Sequence, residues 1–128
     1  MRVLIEDTLL AVTVGDTVFV GSPVTGTQRS VLFAKVQAAN KGRNEKKTAG
    51  IFRQEHFAAT VSDWYAAKDE EGHDVEDGGM RDVSGAAVSY SKDAARNIAE
   101  RNPTRADEIL AAFDNLSRDN TEVVKGES

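Results

Sequence analysis

Residues 9–20, LLAVTVGDTVFV, are apolar and β-branched on both sides of Gly15-Asp16. A two-residue loop that includes glycine closes hairpins, because glycine takes φ > 0 without steric cost. This stretch therefore commits the front of the chain to antiparallel β-structure. Val3 to Ile5, bounded by Arg2 and by Glu6-Asp7, is the candidate for a third strand.

After the hairpin the pattern changes from period 2 to the period of a helix. Residues 21–27, GSPVTGT, concentrate glycine, serine, proline and threonine and read as a turn. Thr27 is the expected N-cap of a first helix through Val31, Leu32, Lys35 and Ala39, ending near Asn40 and Gly42. A basic connector, KGRNEKK at 41–47, leads to a second helix expected over 48–67. There Phe57, Val61 and Trp64 fall at i, i+4 and i+7, with Ile51, Ala58 and Tyr65 close to the same face. Gly50 weakens its first turn.

The acidic, glycine-rich stretch from Asp69 to Gly79 ends that helix and opens a solvated loop, with Ala87 to Tyr90 as a short extended piece. Ser91 then caps a third helix that stops at Asn102, before Pro103. Thr104 with Asp107 has the spacing of a capping box, and Ala106, Ile109, Leu110, Phe113 and Leu116 form the stripe of a fourth helix. The expectation is an α+β fold: an N-terminal β-hairpin, with its candidate third strand, followed by about four helices. A single domain over 1–118 with a polar tail at 119–128 accommodates all of it, and no internal repeat is evident.

Composition narrows the function classes. At 128 residues the chain suits one domain that buries roughly two thirds of its unfolded surface. A formal charge of −5 and a pI near 5.0 disfavour nucleic acid, whose backbone calls for clustered Lys and Arg. With no cysteine, disulfides and zinc–thiolate sites are excluded. The N-terminal apolar run is too short for a secretory core or a membrane span, so no membrane partner is expected.

Neither do the motifs point to catalysis or to a cofactor. A calcium loop needs glycine at position 6 and glutamate at 12. Starting at Asp69 puts Asp74 and Met80 there, while setting Gly72 at position 6 makes Ala67 the first residue and Gly78 the last. Both registers fail. GSPVTGTQ has the outline of a phosphate loop, but Thr27 stands where the phosphate-binding lysine belongs. His56 and His73 have no metal-ligand spacing, and no serine sits in a nucleophile elbow. The expectation is a non-enzyme without cofactor or metal.

Aromatics near a helix end can anchor a protein contact as well as fill a core, and the candidate residues are Phe52, Phe57, Trp64 and Tyr65, with Trp64 expected toward the core and Tyr65 toward solvent. The basic connector before the second helix and the acidic run after it give that helix ends of opposite sign, an arrangement suited to head-to-tail self-association.

The order of these features, and above all Trp64, the turn Asp69 to Gly72, and Tyr90 with Ser91, resembles the tail assembly chaperones of long-tailed bacteriophages. In that family a helix ending in tryptophan is followed by a charged Asp-x-x-Gly turn and an aromatic-Ser helix start. The likeness spans residues from about 10 to 116, and the segment between Gly72 and Tyr90 is longer than the family's compact turn. It implies a non-catalytic assembly protein that binds the tape measure and tail tube proteins in the host bacterial cytoplasm. A structural virion protein of the tail or the head-tail junction is the alternative.

Overall fold

A computed structural model describes residues 9–42 and 44–127, with side chains described as far as residue 117. The candidate strand Val3 to Ile5 lies outside the described residues. Strands β1 (Leu10–Val14) and β2 (Thr17–Gly21) form the expected hairpin, with Val14 paired to Thr17 across Gly15-Asp16. Gly15 has φ 62 while Asp16 is not among the residues at positive φ, the pattern of a II′ turn with glycine first.

The third strand comes from elsewhere. Helix α1 (Gly26–Ala39) and helix α2 (Glu45–Thr60) follow the hairpin, and β3 (Val61–Ala66) then pairs antiparallel with β2, giving the order β1-β2-β3. The sequence reading ran α2 on to residue 67, and this is corrected: Val61, Trp64 and Tyr65 lie on a strand. The error has a physical cause. Gly21 pairs with Val61 and Val20 with Asp63, so Ser62 is the extra residue of a β-bulge. A bulge between them lets Val61 and Trp64 face the core together, and a separation of three then mimics helical spacing.

Helix caps follow local chemistry. Thr25, two residues before the expected cap, closes a reciprocal capping box with Gln28 at 3.1 and 2.8 Å. Ser91 caps α3 (Lys92–Arg101) as expected, accepting from the Ala94 N–H at 2.9 Å. Helix α4 (Pro103–Glu127) begins on Pro103 itself, where a missing N–H costs nothing. The capping box expected of Thr104 and Asp107 is therefore absent, and Asp107 instead pairs with Arg53 of α2 at 3.0 Å. The α4 backbone continues through 119–127, the stretch set apart above as a polar tail.

The sheet lays one face on the helices. Val12, Phe19 and Trp64 form a row across the three strands, and Phe19 meets Trp64 edge-on at 6.4 Å. That row joins Phe57 and Ala58 of α2, Ala95 and Ala99 of α3, and Ala106, Ile109, Leu110 and Phe113 of α4 in one cluster. Small alanines on α3 let it approach closely, and Arg96 ties it to Glu55 of α2 at 3.0 Å.

One buried hydroxyl in this core has no partner. Thr60, at the α2–β3 joint, is 2 % exposed and its Oγ1 makes no hydrogen bond. Replacing it with the isosteric valine removes an unsatisfied polar group, so Thr60→Val is expected to raise stability by about 1 kcal/mol. A urea titration checks this, and a loss of stability would mean that the hydroxyl is satisfied in solution.

Candidate functional site

Trp64 sits where the sheet meets the segment between β3 and α3. Its indole Nε1–H donates to the Val88 carbonyl at 2.7 Å, and its ring meets Tyr90 edge-on at 5.0 Å. The Tyr90 hydroxyl donates in turn to the Val61 carbonyl at 3.0 Å, so Trp64 reaches the segment before α3 and Tyr90 reaches β3. Burial raises the Tyr90 phenol above its ordinary pKa of 10.0, with the nearby Asp63 charge adding to it. The next residue, Ser91, starts α3. The tryptophan, the aromatic and the helix-capping serine are thus one unit although 26 residues separate Trp64 from Tyr90.

Between them the chain builds a tandem repeat that sequence inspection missed. KDEEGHDV at 68–75 and RDVSGAAV at 81–88 share the pattern basic-Asp-x-x-Gly-x-x-Val. Both fold alike. Asp69 N–H donates to the His73 carbonyl at 2.8 Å and Asp82 N–H to the Ala86 carbonyl at 2.9 Å, while Gly72 and Gly85 take φ of 82 and 87. Each aspartate carboxylate then accepts from the backbone N–H groups two and four residues ahead, at 2.9 to 3.1 Å. Val75 N–H reaches Ala67 and Val88 N–H reaches Met80, both at 2.8 Å, closing two small hairpins. The acidic stretch read as a solvated loop is this hydrogen-bonded limb. The repeat lay hidden because four of its eight positions differ in chemistry, and only Asp, Gly, Val and the leading cation carry the geometry.

The limb is anchored to the sheet as well. Ala67 and Gly79 both donate to the Asp16 carbonyl of the hairpin turn, at 2.8 and 3.2 Å. Gly78 allows this approach, since a Cβ there would lie 3.0 Å from that same carbonyl oxygen.

Of the four residues nominated for protein contact, Phe57 (0 % exposed) and Trp64 (6 %) are core, so in this conformation they face no partner. Tyr65 is 46 % exposed and lies on the outer sheet face beside Val18, opposite in direction to Trp64. Phe52 is half-buried between Phe33 of α1, at 5.3 Å, and His56, at 5.6 Å. His73 is exposed in the limb, with Nδ1 3.6 Å from Glu71.

His56 carries a pH consequence. Burial, and next the Arg29 charge, hold its imidazole below the ordinary 6.5 against the opposing pull of Asp114 and Asp107. Between 6.5 and that lowered value the unfolded chain binds the proton more readily than the folded one, so stability falls as pH drops through the window. The melting temperature is expected to decline more on acidification below pH 6.5 in the wild type than in His56→Gln. Equal declines would show that His56 titrates alike in both states.

Among the described residues no group of three or more His, Asp or Glu is placed to hold a metal, and no helix is long and apolar enough to cross a membrane. No family model, no curated protein and no solved structure matches the chain.

Proposed function

We propose that the chain is a non-catalytic assembly protein of a long-tailed bacteriophage, a tail assembly chaperone that binds tape measure and tail tube proteins in the host bacterial cytoplasm. One observation carries the reading. The short motifs behind the resemblance, Trp64, an Asp-x-x-Gly turn and Tyr90-Ser91, are joined by the Trp64–Val88 and Tyr90–Val61 hydrogen bonds into a single unit. The extra length between turn and serine also acquires a simple account. The Asp-x-x-Gly turn occurs twice, and its second copy, Asp82 to Gly85, stands close before Tyr90-Ser91 in a compact arrangement. The first copy is then an added hairpin, and the reading depends on this unit rather than on a helix ending in tryptophan.

For client contact the residues of interest are those left accessible, Tyr65 on the outer sheet face and Phe52 beside α1. The test is a pull-down from infected-cell lysate alongside mass spectrometry of purified particles. Co-purification with the tape measure protein, together with absence from finished particles, is the expected result. A stoichiometric presence in particles would overturn the chaperone reading in favour of a structural protein of the tail or head-tail junction.

A further inference from the structure

Helix α1 is the one helix that supplies no residue to the core cluster among the described residues. It packs on α2 through Val36, which is buried, and through the Phe33 ring against Phe52. Val31, Leu32 and Phe33 are consecutive, so at about 100° per residue they spread around more than half the helix and cannot all face α2. A helix apolar on several sides needs cover on more than one of them. Val31 is 56 % exposed and Phe33 43 %. Away from α2, Ser30, Ala34 and Ala38 are exposed at i, i+4 and i+8. Beside Val31 lies a cleft of about 410 Å³ between α1 and the β2–α1 connector, lined by Pro23, Val24, Leu32 and Ala59 with Lys35 among its lining residues.

Charge indicates what covers this face. Residues 22–60 carry seven Lys or Arg against two Asp or Glu, a net +5, and α1 itself has no acid. The rest of the chain carries nine against nineteen, a net −10. The limb at 67–88 concentrates that excess, with seven acids against Lys68 and Arg81. At the tip of its second hairpin Val83 is fully exposed, flanked by Asp82, at the position that Glu70 occupies in the first. Val83 with the Asp82 carboxylate beside it is the counterpart of an apolar cleft with Lys35 in its lining.

We propose that the α1 face is the docking surface for a second copy of this chain, whose limb seats there with Val83 in the cleft and Asp82 facing Lys35. The contact joins two different surfaces, so each pair keeps one cleft and one knob unused, and association continues head to tail into rings or chains. A symmetric α1–α1 contact would instead face Arg29 and Lys35 with their own copies and no intervening acid. The contact concerns the chain alone and holds or fails independently of the tail-assembly reading.

Sedimentation velocity over a wide concentration range, at low and at high salt, provides the test. The wild type is expected to associate progressively, and more weakly as salt screens the charges. Val83→Asp and Val31→Glu each place a carboxylate in the contact and are expected to weaken association at least about tenfold. Both positions are exposed, so circular dichroism and melting should match the wild type. An equimolar mixture of the two variants restores one intact cleft and one intact knob, and so is expected to form dimers but nothing larger. A wild type that stays monomeric at every concentration would overturn the proposal. So would a Val83→Asp protein that associates as the wild type does, or a mixture that forms no dimers.

Discussion

Gly21→Ala is expected to destabilise the protein by about 3 kcal/mol or more, at the upper end for overpacking a buried site. Gly21 closes β2 opposite Val61, beside the bulge at Ser62, and the Ser22 N–H donates to the Thr60 carbonyl at 2.9 Å. The last turn of α2 is therefore drawn directly onto the end of the strand. A Cβ on residue 21 would overlap the Thr60 carbonyl oxygen and lie 2.9 Å from the Thr60 carbonyl carbon and 3.0 Å from Val61 Cα. All three are backbone atoms, so no side chain can swing aside, and relief requires moving the joint between helix and strand. For a domain of this size the penalty corresponds to a fall in melting temperature of about 10 °C or more. Gly50→Ala supplies the contrast. Gly50 lies inside α2 with open space where its Cβ would be, so alanine there is expected to stabilise by about 0.5–1 kcal/mol. Thermal unfolding of both variants decides the matter, and a Gly21→Ala protein melting within a degree or two of the wild type would mean that this close approach does not exist in solution.

That joint also marks the limit of what the sequence discloses. Elements governed by near neighbours were legible: the hairpin from its glycine loop, the α3 cap from Ser91, and the α4 stripe from Ala106 to Phe113. The change from helix to strand at Thr60-Val61 depends on the distant edge of β2, which has no signature within 45–66. Nothing local distinguishes a bulged strand carrying Val61 and Trp64 on one face from another helical turn. The capping box of Thr104 failed because Pro103 is itself the first residue of α4, and proline at that position sets the boundary.

The candidate site was legible in its parts and not in its assembly. Trp64, Tyr90 and Ser91 stood out as residues, but their contacts cross a segment whose repeat only the matched hydrogen bonds reveal. The exposed counterpart was legible too, since Tyr65 was expected toward solvent and is 46 % exposed, although the reason for it was not. Tyr65 follows Trp64 directly, and assignment to a strand, rather than any difference in residue type, sends the two side chains in opposite directions. Phe33 and Val31 on α1 were not nominated for contact, because a helix with apolar residues on several sides looks like any core helix until its packing is known.

Trp64→Ala is expected to cost about 3–5 kcal/mol, the range for removing a buried aromatic. The loss exceeds the packing of the ring against Phe19 and Tyr90, since the Val88 carbonyl also loses its indole donor. Val88 closes the second hairpin through Met80, so the damage should extend into the limb. Trp64→Phe keeps an aromatic ring and removes the N–H, and is expected to cost less than half as much. Combining Trp64→Ala with Tyr90→Ala isolates the pair, whose ring contact predicts a coupling of about 0.5–1.5 kcal/mol. Denaturation is best followed by far-ultraviolet circular dichroism, because the alanine variant has no tryptophan to fluoresce. Amide exchange adds a local readout. The amides of Val75 and Gly79 depend on the sheet-anchored limb, and that of Val88 on the tryptophan's own partner residue, so Val88 should lose protection first and beyond the global loss seen in α4. If the amides of Val88 and Ile109 lose protection equally, Trp64 acts only as core volume. If Val88 opens selectively, the tryptophan is what fastens the limb to the sheet.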